Sequence, residues 1–258
     1  HIGSVNLSNV DKKSKENEQQ VRLCNYVDVY YNDFITQGMD FMQATASSEQ
    51  IEKFTLREGD VLITKDSEDW DDIAVPAYVS QDFNDVVCGY HLAHIRPFKE
   101  FIDGRYLFRS FNANPLYEQF KLSAKGITRY GVGKYSIENA LLLLPSVGEQ
   151  QAIADYLDKK VALIDALISK KRRQIELLTE QRQAVINQAV TKGLDPNVEM
   201  KDSGMEWLGE IPKHWEVKPL KYVGTNGLTN GIFKKKDQYG RGSRLVNVID
   251  LYQNDLLI

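Results

Sequence analysis

The sequence predicts a mixed α/β globular domain followed by one long α-helix of the coiled-coil-forming kind. Three observations carry that expectation. Residues 1–145 contain short runs rich in β-branched and aromatic residues, closed off by Gly, Asp and Pro. Two later runs in the same stretch have helical spacing. From Glu149 to Thr191 there is neither Gly nor Pro, and an apolar heptad continues throughout.

In the first stretch, strands are expected over Val21–Tyr30, Phe54–Thr64, Ile73–Val79 and Val86–Ile95. Gly59-Asp60 before Val61-Leu62-Ile63 reads as a turn entering a strand. Helices are expected over Tyr106–Asn112 and Pro115–Ala124, with Gly126 as a stop. Gly131 and Gly133 mark a loop.

The long helix has its own pattern. One heptad position runs Leu157, Ile164, Lys171, Leu178, Val185, and the other runs Val161, Ile168, Ile175, Arg182, Ala189. Eight of these ten are apolar, so Leu157, Val161, Ile164, Ile168, Ile175, Leu178 and Val185 form a pairing stripe. Lys171 and Arg182 either fix the register of pairing or snorkel outward. At 1.5 Å per residue, ~43 residues make a rod of about 60 Å. Such a rod needs a second long helix to bury its stripe. Gly193 and then Pro196 end it.

A segment also recurs. Arg22 to Asp33 aligns without gaps with Arg244 to Asp255, seven of twelve positions being identical at an offset of 222 residues. A period this long is a whole domain beginning again. The expected organisation is a globular domain at 1–145, the helix at 146–193, a polar linker at 194–210, and the opening of a second, truncated domain at 211–258.

Net charge is −4, which by itself argues against nucleic-acid binding. Its distribution qualifies that. Residues 1–145 carry 15 Lys+Arg against 21 Asp+Glu, yet Lys121 to Lys134 holds four cations and no acid, and Lys234 to Arg244 holds five cations and one acid. The loop from Lys125 to Lys134 combines cations, a hydroxyl, an aromatic ring and glycines that let the backbone approach a phosphate. Lys125, Thr128, Arg129, Tyr130 and Lys134 are therefore the candidate DNA contacts. Arg129 suits a guanine edge or a phosphate. Lys65, after the Val61–Ile63 strand, is a further candidate. The bland alternative is a basic surface loop joining two elements. Lys234, Lys235, Lys236, Arg241 and Arg244 would belong to the corresponding face of the second domain.

No motif for catalytic chemistry stands in the sequence. Gly131-Val132-Gly133-Lys134 is followed by Tyr135, so it is no phosphate-binding loop. Asn114-Pro115-Leu116-Tyr117 lacks the second proline of an adenine-methyltransferase motif. His91 and His94, three apart on an expected strand, point to opposite faces and predict no metal site. The acidic run Asp66 to Asp72 reads as a solvated loop. Cys24 and Cys88 read as two buried thiols in a reducing compartment. No apolar run approaches the ~20 residues that span a bilayer. No basic stretch followed by an apolar run opens the sequence. A cytoplasmic protein without cofactor or metal, and away from membranes, is expected.

Four segments then carry a resemblance: Leu144-Pro-Ser-Val-Gly-Glu-Gln150, Ile153-Ala-Asp-Tyr-Leu157, Ala189-Val-Thr-Lys-Gly-Leu194, and Trp207-Leu-Gly-Glu-Ile-Pro-Lys-His-Trp-Glu216. Together they resemble the central conserved region of the specificity subunits of type I restriction–modification enzymes. Glu58-Gly-Asp-Val-Leu-Ile63 also looks like those subunits' recognition domains. The resemblance implies a non-catalytic, sequence-specific binder of double-stranded DNA. In it, each of two target-recognition domains reads half of a bipartite site. The long helices set the spacing and scaffold the methyltransferase subunits that carry out DNA methylation and the restriction/translocase subunit. The repeat of 222 residues fits that plan. The near absence of a second recognition domain and second helix does not, and points to self-association as a homodimer through the one long helix. The rival reading is a non-enzymatic coiled-coil oligomer whose globular head binds protein.

Overall fold

The computed structural model describes residues 2–222. Residues 223–258 lie outside the described part, and with them the second copy of the repeat and the cations from Lys234 to Arg244. The chain divides into two compact units, residues 1–173 and 174–258.

The first unit is α/β, as expected. In chain order it holds β1 (Gly3–Leu7), β2 (Gln19–Cys24), α1 (Tyr26–Tyr30), β3 (Phe34–Ile35), β4 (Met42–Ala46), α2 (Ser48–Phe54), β5 (Val61–Thr64), β6 (Asp66–Ser67), β7 (Pro76–Val79), β8 (Val86–Cys88), β9 (Leu92–Pro97), α3 (Gly104–Phe111), α4 (Asn114–Ser123), β10 (Tyr130–Gly131), α5 (Lys134–Glu138) and the start of α6 (Val147–Lys192). A five-stranded sheet has the order β1-β9-β5-β7-β3, and a three-stranded sheet the order β4-β2-β8.

Alternation along β5 explains the layering. Val61 and Ile63 point to one apolar cluster together with Phe108, Phe111, Phe120 and Ile102. Leu62 points to the other, with Leu23, Val87, Phe54 and Leu56. A strand whose successive side chains fill two cores must be covered on both faces. Here α3 and α4 cover one face and the small sheet covers the other.

Several expected boundaries are corrected. The expected strand Val21–Tyr30 ends at Cys24, because Asp28 accepts from the Asn25 N–H at 2.7 Å and caps a short helix. Phe54 closes α2, whose N-terminus is a reciprocal Ser47–Gln50 capping box. The expected strand Val86–Ile95 is two strands, β8 and β9, with a turn at Tyr90–His91. The loop expected around Gly131 contains β10, and α5 follows Gly133.

The helix α6 is continuous from Val147 to Lys192 and ends at Gly193, whose φ of +77° suits a residue without Cβ. In the second unit, residues expected as linker form part of a hairpin, β11 (Met200–Asp202) paired antiparallel with β12 (Glu210–Pro212). No helix among the described residues is long and apolar enough to cross a membrane.

Candidate nucleic-acid interface

The basic loop is a closed structure. Lys125 and Gly131 exchange both backbone hydrogen bonds, at 3.0 and 2.9 Å. Between them the chain turns so tightly that a Cβ on Gly126 would lie 1.9 Å from the Arg129 carbonyl oxygen. Only glycine fits there. The turn pushes Ile127, Thr128 and Arg129 into solvent, Ile127 being 92% exposed. Tyr130 is half-buried against the core cluster beneath.

Backbone hydrogen bonds tie this loop to two segments distant in sequence. β10 pairs antiparallel with β6. The Val132 N–H donates to the Lys65 carbonyl at 2.8 Å, and the Lys65 N–H donates to the His91 carbonyl at 3.0 Å. The side chains converge as well. The Asp66 carboxylate accepts from Lys65 Nζ at 2.8 Å and lies 2.7 Å from His91 Nδ1. Arg129 Nη2 is 3.3 Å from that same His91 nitrogen. Burial pushes the Asp66 carboxyl up, but the bonds from Lys65 and His91 outweigh it and hold its pKa below the usual carboxylate range. Lys65 Nζ also stands 4.9 Å over the Tyr90 ring.

Three more side chains, from α1 and α4, reach the same loop, residues 65–72. The Tyr30 hydroxyl donates to Asp72 at 2.7 Å, and that carboxylate pushes the phenol pKa up to about 12. The Tyr117 hydroxyl donates to the Asp71 carbonyl. Lys121 Nζ sits 5.8 Å over the half-exposed Trp70 ring. The acidic run expected to be a solvated loop is therefore partly anchored: Asp66 and Asp72 are half-buried and bonded, whereas Glu68, Asp69 and Asp71 are exposed.

The structure thus brings Lys65, Arg129 and Tyr130 together, with Lys125 and Thr128 on the same loop. It sets Lys134 apart at the start of α5, 3.5 Å from Glu138. Sequence reasoning missed Asp66, Tyr90 and His91. The one available signal was a polar Tyr-His pair directly after a glycine between two apolar runs. Among the described residues no group of three or more His, Cys, Asp and Glu side chains could hold a metal ion. A separate cleft of about 760 Å³ lies beside Arg57, Arg96, Lys99 and Arg105. It suits a polyanion less well, because Arg96 is held by Asp60 and Arg105 by Asp155, at 2.8 and 2.7 Å.

The root of α6 is built by the Glu-Gln pair. Glu149 accepts from the Ser146 hydroxyl at 2.8 Å and from its N–H at 3.1 Å, capping the helix. Gln150, fully buried, accepts from the Asp103 N–H and donates to the carbonyls of Phe101 and Pro145. Arg105 and Arg109 then reach Asp155 and Asp158 on the next turns. Beyond this root the pairing stripe emerges. Leu157 and Val161 are half-buried, while Ile164, Ile168, Ile175, Leu178 and Val185 are exposed.

The sequence model of the type I restriction modification DNA specificity domain matches residues 6–177, more than half of the chain. The chain belongs to that family. A relative is the type I restriction enzyme MjaVIII specificity subunit of Methanocaldococcus jannaschii. It is 33% identical over 122 residues, which are 47% of this chain and 27% of the relative. The chain thus matches about a quarter of that relative's length. A chain in a solved structure of a type I R-M system shares the fold. It is 18% identical, with a TM-score of 0.56, and the match covers 75% of this specificity domain's chain and 44% of the other.

Proposed function

We propose that this chain is a DNA-reading specificity subunit of a type I restriction–modification system. It reads half of a bipartite double-stranded target and scaffolds methyltransferase and restriction/translocase subunits, with no catalytic chemistry of its own, in the cytoplasm. The observation that carries this reading is the exposed turn from Lys125 to Arg129, clamped by β-bridges onto the Lys65–Asp66 segment. It offers donors and a rigid backbone to a phosphate chain, and family membership supplies the context. The exposed stripe on α6 supports pairing of long helices, and we assign it to an antiparallel homodimer through residues 150–190.

The test is direct. The methyltransferase assembled with this chain should bind duplex DNA with an affinity that falls steeply with salt, because phosphate contacts release counterions. The purified chain alone should neither methylate nor cut DNA, with or without ATP and S-adenosylmethionine. Turnover by the chain free of other subunits, or DNA binding indifferent to salt, overturns the reading.

A further inference from the structure

The turn between β8 and β9 holds a conformational anomaly. His91 has a φ of +73°, in the left-handed region, although glycine stands two positions earlier in the same turn. A non-glycine residue there is strained, and histidine is one of the side chains found there more often than most. A cost retained at one residue calls for something its side chain does.

The side chain is part of a fixed arrangement. His91 Nδ1 lies 2.7 Å from Asp66 Oδ2, which also takes Lys65 Nζ at 2.8 Å. A carboxylate can only accept, so Nδ1 carries the proton toward Asp66. Two consequences follow. In the neutral ring the other nitrogen, Nε2, is an acceptor. Arg129 Nη2, 3.3 Å from Nδ1, meets no lone pair there, so this contact does not use up its donors. The Tyr90 ring packs edge-on against the imidazole with centroids 4.1 Å apart, and is itself nearly half exposed. The imidazole is thus held on three sides: by Asp66, by Tyr90 and by the left-handed backbone.

An acceptor and a guanidinium fork side by side match a specific pattern in the DNA major groove. Adenine presents an amino donor beside the N7 acceptor. A C·G pair presents the cytosine amino donor beside guanine O6 and N7. We infer that His91, held on Asp66 beside Arg129, is a specificity-determining residue of this recognition domain. It accepts from the exocyclic amino group of an adenine or cytosine while Arg129 donates to the adjacent base acceptor. The inference rests on the DNA-reading function proposed above.

The experiment uses the methyltransferase assembled with this chain and maps the methylated sequence in host DNA. His91→Gly is the informative variant, since glycine suits a φ of +73° and keeps the fold while removing the imidazole. His91→Asn, also at home in the left-handed region, is the companion. For His91→Gly, one position of the methylated sequence should relax, with discrimination against other bases falling about ten-fold or more, while the remaining positions stay unchanged. A methylated sequence and relative site preference identical to wild type overturns the inference. Lys125→Ala with Arg129→Ala separates the two levels. If that pair weakens binding to host DNA fragments but His91→Gly leaves the motif intact, the assignment of His91 alone falls. If neither variant changes binding or motif, the interface itself is wrong and both readings fall.

Discussion

The Gln150 side-chain oxygen accepts a hydrogen bond from the Asp103 backbone N–H at 2.9 Å, and both groups belong to the junction where α6 leaves the globular body. Fully buried, Gln150 satisfies one donor and two carbonyls at this part-buried junction. Gln150→Ala leaves these groups without partners, each costing about 1–3 kcal/mol. A loss of roughly 2–4 kcal/mol is expected in denaturant unfolding. Gln151→Ala, at an exposed neighbour, should stay within about 0.5 kcal/mol. Equal effects would show that the amide is not the staple.

Asp60 anchors the same body from inside. Its carboxylate accepts from Arg96 at 2.8 Å, meets His94 Nε2 at 2.7 Å and caps the Arg57 N–H at 2.9 Å. Burial pushes the carboxyl up, but Arg96 and His94 outweigh it and hold the pKa below the usual range. A depressed folded pKa means the group stabilises the fold above the unfolded value of about 3.9. That contribution is lost as pH falls through the lower folded value. Asp60→Asn should therefore cost about 3–5 kcal/mol near neutrality, because it strands buried His94 and half-buried Arg96. The deficit relative to wild type should shrink as pH drops below about 4. Asp85→Asn, breaking the more exposed pair with Arg22, should cost about 1 kcal/mol or less. A deficit for Asp60→Asn that is constant with pH contradicts the assignment.

The basic loop makes a thermodynamic claim. Arg129→Ala with Lys134→Ala should weaken DNA binding by the assembled methyltransferase without changing its melting behaviour. Removing one cation that neutralises a phosphate should flatten the salt slope by about 0.9. Lys134 is the more distant of the two and already pairs with Glu138, so Arg129→Ala alone should give most of the loss of affinity, through its lost base contact. Wild-type affinity and slope in the double variant would reduce the loop to a connector.

How much of this was legible in the sequence varies by element. The α6 helix and its stop at Gly193 followed from a long run without Gly or Pro, a mostly apolar heptad and local rules. The Val61–Thr64 strand followed from its apolar run. Residues Tyr26–Tyr30 did not, because Tyr, Val and Tyr carry strand propensity. A local cap, Asn25 with Asp28, and the stacked Tyr26 and Tyr30 rings one turn apart override it. The Ser47–Gln50 capping box was a readable signal for α2 that the strand-like Phe54 obscured. At the candidate interface, cations closely spaced in one loop were visible directly. Asp66 and His91 were not, since 25 residues separate them and the antiparallel β5–β9 pairing, extended by the Lys65 N–H on the His91 carbonyl, brings them to one place. His91 and His94, read from the sequence as pointing to opposite faces, each serve a different carboxylate.

The last prediction concerns α6. Past its root, Ile164, Ile168, Ile175, Leu178 and Val185 are between 44% and 64% exposed, and Leu163, Leu167 and Leu177 add to the apolar surface. Burying one such side chain completely contributes about 1.5–3 kcal/mol. Several half-buried residues along a seam would therefore favour pairing by several kcal/mol, enough to offset much of the cost of association. The globular body cannot supply this cover. It buries Gln150 and Ala154 and partly covers Leu157 and Val161, after which the seam is open. In the proposed homodimer another copy supplies a second helix of equal length and the same heptad phase, and antiparallel packing would put the recognition domains at opposite ends, the arrangement two half-sites require. Sedimentation at micromolar concentration should show a dimer, and Ile164→Glu or Ile168→Glu should convert it to monomer while leaving the globular body's melting unchanged. A wild-type monomer, unaffected by either substitution, would mean that the stripe is covered by a subunit of another kind. Adding methyltransferase subunits to the same sedimentation run would then reveal that by a substitution-sensitive complex.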